Sequence, residues 1–222
     1  TVIIVGAGIK YNSKYKEIIK LAEFCNLPIV TAAGHGDAIP FNHKLHAGQM
    51  GPRGNPVASR LVKEANVILA IGTRLGFNST FYSYENINKK AKIIHIELEK
   101  KMLGKYFPIK IGIHADAATA TKQIYEQIKK NKIKIDVKNW TNLYLKERSK
   151  YLIDRDNNNL GKNFPIQPKG LFKKLRKALP KNSAITLDAG TLCLQATDAL
   201  EYYDPPSLFT PLDFGLVGFS FA

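Results

Sequence analysis

The 222 residues are 45% apolar and 23% charged, which excludes collagen-like, coiled-coil and largely disordered chains and allows one large domain or one domain plus part of another. Apolar runs fall short of the roughly 18 residues that a membrane span needs. Two cysteines far apart, Cys25 and Cys193, argue against a disulfide framework, for a reducing compartment, and for both as small buried residues. The net charge of +15 is unevenly placed: residues 129–181 hold 16 basic and 4 acidic groups, residues 182–222 no basic group and 5 acidic ones. With 27 Lys against 6 Arg, the excess reads as solvation before nucleic-acid recognition, which favours Arg. The Lys129–Lys134 run reads as a solvated helix end.

Thr1–Val5 is a short β-branched run closing on Gly6-Ala7-Gly8, the pattern of a buried parallel strand. Ser13–Asn26 has helical apolar spacing, with Ser13 placed to cap it. Pro28–Ala32 is the next strand. Gly34–Gly54, rich in glycine and histidine, reads as a long loop. Asn55-Pro56 opens a helix running to about Ala65, with Pro at its first position. Asn66–Ile71 is a strand ending in Gly72-Thr73-Arg74, and an aromatic-rich loop runs to Lys90. Strands follow at Ala91–Ile96 and Ile109–Ile113. Asp116 caps a helix to about Lys130. The alternation of strand and helix predicts a doubly wound parallel sheet, an α/β fold of Rossmann-like kind.

Beyond residue 130 the rhythm breaks. A helix around Trp140 spans 139–150, and Asp154–Asn163 reads as a polar loop. Gln167–Leu179 reads as an amphipathic helix with Leu171, Phe172, Leu175 and Leu179 on one face. A strand at Ser183–Leu187, a helix at Thr191–Leu200 and a short strand at Ser207–Thr210 follow. Thr1 and Ala222 both fall where an element is in progress, so the chain reads as a piece of a longer one.

Three glycine-bearing turns follow strands or precede helices: Gly6-Ala7-Gly8, Met50-Gly51-Pro52-Arg53-Gly54 and Gly72-Thr73-Arg74. Glycines at a strand's carboxyl end either make a tight turn or let backbone approach a phosphate. Arg53 and Arg74 either neutralise a diphosphate or form surface ion pairs. Glu97, at a strand end, is placed to accept a hydrogen bond from a ribose. His95 reads as a satisfied packing residue. His35, His43 and His46 match no zinc spacing and read as solvated loop histidines.

In order and spacing these segments resemble the thiamine-diphosphate-dependent enzymes of the acetolactate synthase group. Val2–Gly8 is similar to the opening of that family's central domain. Leu27–Thr31, Gly36–Pro40, Gly48–Gly54, Ala70–Arg74 and Ala91–Glu97 are similar to its later motifs, with Glu97 in place of Asp. Leu187–Leu192 resembles its Asp-x-Gly segment, although Thr191-Leu192 replaces the usual Gln-His, and Gly215–Phe219 resembles its Gly-x-Met-Gly-Phe segment. The stretch Thr73–Phe77 is similar to sulfoacetaldehyde acetyltransferase-like members, the alternative within the family.

The resemblance implies a central domain at 1–135, a linker at 136–166 and the truncated start of a second α/β domain, thiamine-diphosphate-binding, at 167–222. It implies that Ala189, Gly190, Thr191, Gly215 and Val217 contact thiamine diphosphate, Val217 propping the cofactor in its bent form. In acetolactate-type members the central domain binds FAD, for which Gly6, Gly8, Arg53, Gly72, Arg74 and Glu97 are the candidates; many relatives have lost the flavin. It also implies a 2-keto acid or related substrate, a Mg²⁺ whose ligands lie outside these residues, a catalytic glutamate likewise outside, a cytoplasmic protein, and at least a homodimer or homotetramer. On this reading the chain alone is inactive. The competing reading is a non-catalytic nucleotide-binding Rossmann-type module.

Overall fold

The computed structural model describes residues 1–11, 13–158 and 166–221. Six strands form one parallel sheet: β1 (Val2–Val5), β2 (Ile29–Thr31), β3 (His46–Gln49), β4 (Val67–Ile71), β5 (Lys92–Glu97) and β6 (Ile111–His114), in the order β3-β2-β1-β4-β5-β6. Helices cover both faces, which is why the central strands carry apolar residues without alternation. Ile3, Val5, Leu69, Ile71 and Ile96 point to one side, against Ile18, Leu21 and Ala22 of α1 (Tyr15–Cys25) and Ala117 and Ala120 of α4 (Ala117–Lys130). Val2, Ile4, Ile68, Ala70 and Ile93 point to the other, against Ala58, Leu61 and Val62 of α2 (Pro56–Glu64) and the buried Tyr144. Each fully buried Ile or Leu contributes about 1.5–3 kcal/mol relative to exposure, so this double layer fixes the sheet on which the strand ends are presented. A single helical turn, α3 (Phe77–Thr80), lies in the loop after β4.

The Asp116 cap forms as the sequence predicts, and the helix expected to open at Asn55-Pro56 carries a side-chain cap as well. The Asn55 side chain accepts from Val57 N (2.8 Å) and Ala58 N (3.4 Å) at the start of α2, with Pro56 following, and Asp116 Oδ1 accepts from Thr119 N at 3.0 Å. The Ser13 cap does not form: Ser13 sits at φ 55° and α1 starts at Tyr15 without a side-chain cap. Asn26, at φ 54° and ψ 42°, closes α1 in the left-handed conformation that asparagine tolerates.

The predicted loop 34–54 contains β3. His46-Ala47-Gly48-Gln49 lacks any β-branched residue, and its strand conformation comes from pairing with β2 through a register irregularity between Ile29 and Val30. The stretch expected as a linker carries α5 (Lys138–Asn158), which packs on α2 and places Thr141 Oγ1 2.8 Å from the Asn26 carbonyl. The helix runs past Lys150, through 154–158 where a loop was expected, because Arg155 is drawn in by ion pairs with Asp156 (2.9 Å) and Glu201 (2.7 Å). Positions 159–163 of that expected loop lie outside the described residues.

The C-terminal part comprises α6 (Pro168–Ala178), β7 (Ile185–Thr186), α7 (Thr191–Ala199) and β8 (Leu208–Phe209), with β7 and β8 paired in parallel. Its core is smaller: Phe172, Ala196, Ala199, Leu200, Tyr202 and Leu208. The expected face of α6 is corrected. Leu171 and Leu175 are exposed, whereas Phe172 and Arg176 are buried, the Arg176 guanidinium donating to the Leu179 carbonyl at 2.9 Å. Among the described residues no helix is long and apolar enough to cross a membrane.

Candidate cofactor-binding site

The sheet order places a topological switch point between β1 and β4, where ligand crevices open in such folds. The two strand ends meet there backbone to backbone. Gly8 N donates to the Gly72 carbonyl at 3.0 Å, and a Cβ on Gly8 would lie 2.8 Å from Gly72 Cα. Gly72 itself sits at φ 56°, which an L side chain adopts only with strain. The glycines therefore serve close chain approach, and a cleft of about 200 Å³ opens beside them, lined by Gly8, His35, Thr73, Arg74, Asn78 and Glu97 among others.

His95 holds the floor of this turn. Its Nδ1 accepts from Gly104 N (3.3 Å), which leaves Nε2 to donate to the Thr73 carbonyl (2.9 Å). It is the satisfied packing residue that its place on the strand predicts. Glu97 turns back on its own chain, its Oε1 accepting from Leu98 N (2.8 Å) and Glu99 N (3.4 Å). Arg74 is half-exposed and paired with Asp213, which also accepts from Asn78 Nδ2 at 3.2 Å. Gly6 precedes the cleft, its position packed against Thr73 and Gly72. Arg53 is not in this cleft. It lines an adjoining hollow of about 190 Å³ with Gly51, Phe81 and Leu212. His35, Asn78 and Asp213 were not singled out as cleft residues from sequence.

The reading of three solvated loop histidines is corrected. Only His43 meets a surface partner, Glu23 at 3.4 Å. His46 is buried at β3, with Nδ1 3.3 Å from the Phe41 carbonyl. His35 lines the cleft with its Nδ1 buried and lacking a hydrogen-bond partner. Burial, with Lys10 nearby, pushes the His35 pKa down to about 4; burial and Arg148 push His46 well below its usual value. Both rings are neutral in the folded protein near pH 7. Between about 6.5, the usual histidine value, and about 4 the unfolded chain binds protons that the folded chain refuses. Stability is therefore full above pH 6.5 and falls on acidification. The urea midpoint is expected to drop between pH 7.5 and 5, and to drop less in His35→Asn and His46→Asn; equal midpoints at the two pH values in the unaltered chain would contradict this.

The second cluster lies at the start of α7. The Asp188 carboxylate accepts from Gly218 N (2.8 Å) and Phe219 N (3.0 Å), and Ala189 N donates to the Leu216 carbonyl (3.3 Å). The segments 188–191 and 215–219, which carry Ala189, Gly190, Thr191, Gly215 and Val217, are thereby joined. Asp188 is the link, a role not assigned to it from sequence. Gly190 (φ 132°) precedes α7 without a side-chain cap, Gly215 stands at φ 62°, and nothing lies within 4 Å of a Cβ at either. Val217 is 84% exposed.

The two implied cofactors fit these residues differently. Uncapped N–H groups at the head of a nine-residue helix, beside open glycines, suit the diphosphate of thiamine diphosphate. A flavin dinucleotide needs one continuous groove along the sheet edge. Here Leu212 and Asp213 line adjoining hollows of about 100 to 430 Å³ along that edge, and Asp213 pairs with Arg74. With Arg74 paired to Asp213, the edge as it stands offers a flavin diphosphate no free arginine in this cleft.

The family model described as thiamine pyrophosphate enzyme, central domain, matches residues 1–124. The chain is 28% identical over 243 aligned positions to a sulfoacetaldehyde acetyltransferase of Castellaniella defragrans, covering 99% of the chain and 40% of that protein. It is 27% identical to a probable acetolactate synthase large subunit of Methanococcus aeolicus (99% and 38%) and 24% identical to the acetolactate synthase large subunit of Lactococcus lactis (98% and 36%). The chain thus spans about 40% of the length of these relatives.

Proposed function

Because the chain belongs to the thiamine-pyrophosphate enzymes through the central domain that its first 124 residues form, we propose that the protein carrying it is a thiamine-diphosphate-dependent enzyme transferring a two-carbon acetyl unit. Within that family we favour a sulfoacetaldehyde acetyltransferase-like activity over acetolactate synthesis. The observation that carries the preference is the sheet edge. Acetolactate-type members bind FAD there, and Arg74 here is paired with Asp213. Thr191-Leu192 in place of Gln-His, with Leu192 half-exposed at the head of α7, points the same way, as does the name of the relative from Castellaniella defragrans.

Thiamine diphosphate supplies a nucleophilic carbon and an electron sink when bound. The N–H groups of Thr191 and Leu192 would receive its diphosphate, Gly190 and Gly215 would give it room, and Val217 would offer an apolar surface. Asp188 would hold the two loops in register. No basic side chain stands in 182–222, so the diphosphate's charge is met by helix amides and, in this reading, by a Mg²⁺ whose ligands lie outside these residues. We place the domain boundary across 136–166, the protein in a reducing cytoplasm consistent with its two free, buried cysteines, and its working form at a dimer or larger, without nucleic-acid or membrane partners.

Proton NMR of the relatives-length protein, loaded with thiamine diphosphate and Mg²⁺ in phosphate buffer, is expected to show sulfoacetaldehyde consumed at least tenfold faster than pyruvate. The reverse preference returns the acetolactate reading, and no consumption of either refutes both. The 222 residues alone are expected to turn over neither substrate.

A further inference from the structure

The loop from Met50 to Gly54 closes back on itself beyond the end of β3. Gly54 N donates to the Gly51 carbonyl at 3.0 Å, Gly51 N to Ser59 Oγ at 3.2 Å, and Met50 N to the Thr31 carbonyl at 2.9 Å. Gly51 stands at φ 113°, and a Cβ there would lie 2.8 Å from the Asn78 carbonyl oxygen. The turn is thus held on both sides. It carries Arg53 at the hollow of about 190 Å³ that α7 helps to line. A group presented by a fixed turn loses little freedom when a ligand meets it.

Arg53 differs from the other arginines. Arg60, Arg74 and Arg155 meet carboxylates, and Arg148 and Arg176 donate to backbone carbonyls. Arg53 is exposed and has no hydrogen-bond or ion-pair partner among the described residues. None of the described residues that line its hollow is acidic. The polar side chains there are already engaged: Gln49 with Thr197 Oγ1 and Gly34 N, Asn78 with the Leu212 carbonyl and Asp213. Met50, Phe81, Leu194 and Leu212 supply apolar walls. One uncompensated cation beside apolar walls suits an anion with a short carbon body. The volume lies below the about 300 Å³ at which pockets for drug-sized ligands begin, so the occupant is small. Leu194 follows Thr191 by three residues in α7, which places the hollow about 5 Å along the helix from its head.

We infer that Arg53 is a specificity-determining residue, holding the anionic end of a two- or three-carbon acid in this hollow, with the rest of the molecule turned toward the head of α7. The guanidinium fork donates to two oxygens of a carboxylate or a sulfonate at once. Selection of the substrate by this contact rests on the function proposed above; binding of a small organic anion at Arg53 does not.

The binding test uses the relatives-length protein without cofactor and two unreactive probes, ethanesulfonate and propionate, read by calorimetry. At least one is expected to bind, at least about fivefold more weakly in Arg53→Gln, the upper range for an exposed ion pair. Arg53→Lys keeps the charge and loses the fork, and should weaken binding by about two- to threefold. Tm should stay within about 2 °C in both variants, since Arg53 holds no other residue in place. Ethanesulfonate bound more tightly than propionate assigns the sulfonate, and the reverse order the carboxylate. Binding of neither probe, or binding that Arg53→Gln leaves unchanged, overturns the site. Turnover with thiamine diphosphate and Mg²⁺ gives a second readout. Arg53→Gln should raise KM for sulfoacetaldehyde at least about fivefold with kcat within about twofold, and a lost kcat at unchanged KM would overturn the assigned role. An unaltered protein that consumes neither sulfoacetaldehyde nor pyruvate refutes the proposed function, while the two probes still decide the site.

Discussion

Asp37→Ala is expected to lower the unfolding free energy by about 3–5 kcal/mol, as breaking a buried ion pair does. Asp37 is fully buried, and the Lys10 side chain that meets it at 2.9 Å is 6% exposed. Lys10 Nζ also donates to the Leu208 carbonyl at 2.7 Å. The second Asp37 oxygen accepts from Ser207 N at 3.0 Å and Leu208 N at 2.9 Å. One carboxylate therefore fastens the turn after β2 to the first residues of β8 and neutralises the lysine beside the switch point. Alanine leaves an ammonium with a single carbonyl and two buried amides without acceptors. Removing Lys10 as well would not restore stability, because the two amides stay unsatisfied. Asp37→Asn keeps one acceptor and should lose clearly less. Urea unfolding followed by circular dichroism checks the series, and a loss under about 1 kcal/mol for Asp37→Ala would show the clamp to be dispensable.

Asp37 also shows where sequence reasoning stopped. Gly36–Pro40 was recognisable as a motif, but its function as a clamp depends on residues 170 positions away. Local signals sufficed where burial on both faces wrote itself into composition, as in Val2–Val5, Val67–Ile71 and Lys92–Glu97. They sufficed for the Asp116 cap and the helix start at Asn55-Pro56, which are local by nature, and for the exposed lysines of 129–134. They failed for β3, whose four residues have no strand propensity and are buried by their neighbours. They failed for α6, where the long apolar stem of Arg176 fills a place that periodicity assigned to leucines. At the site, Gly8, Gly72 and Arg74 announced the strand ends, because close backbone approach demands glycine. Asp213 reaches Arg74 from 139 residues away, and nothing in its own neighbourhood marks it.

Gly36→Ala should be a severely damaging single-methyl addition. Gly36 is not in the left-handed region, so the backbone alone accepts alanine there. Space is what it lacks: a Cβ would lie 2.2 Å from the Thr197 carbonyl oxygen in α7. A backbone carbonyl cannot swing aside, so the helix or the turn must move by about 1 Å to reach ordinary contact. Both are held. Gln49 Nε2 donates to Thr197 Oγ1 at 3.0 Å while its Oε1 accepts from Gly34 N at 3.1 Å, tying the end of β3, the Gly34 turn and α7 into one buried set. Overpacking costs about 1–3 kcal/mol, and a rigid carbonyl puts this case at the upper end, about 3 kcal/mol. Gly190→Ala is the contrasting case, with φ 132° but nothing within 4 Å. Its strain is local, and it should disturb the head of α7 without lifting the helix from the sheet. Thermal unfolding and hydrogen exchange separate the two. Gly36→Ala should lower Tm by at least about 6 °C and speed exchange throughout α7, as expected for such a loss in a domain of this size. A Tm within about 2 °C of the unaltered chain would mean that α7 is free to ride away from Gly36. The α7 end would then move independently of the sheet edge.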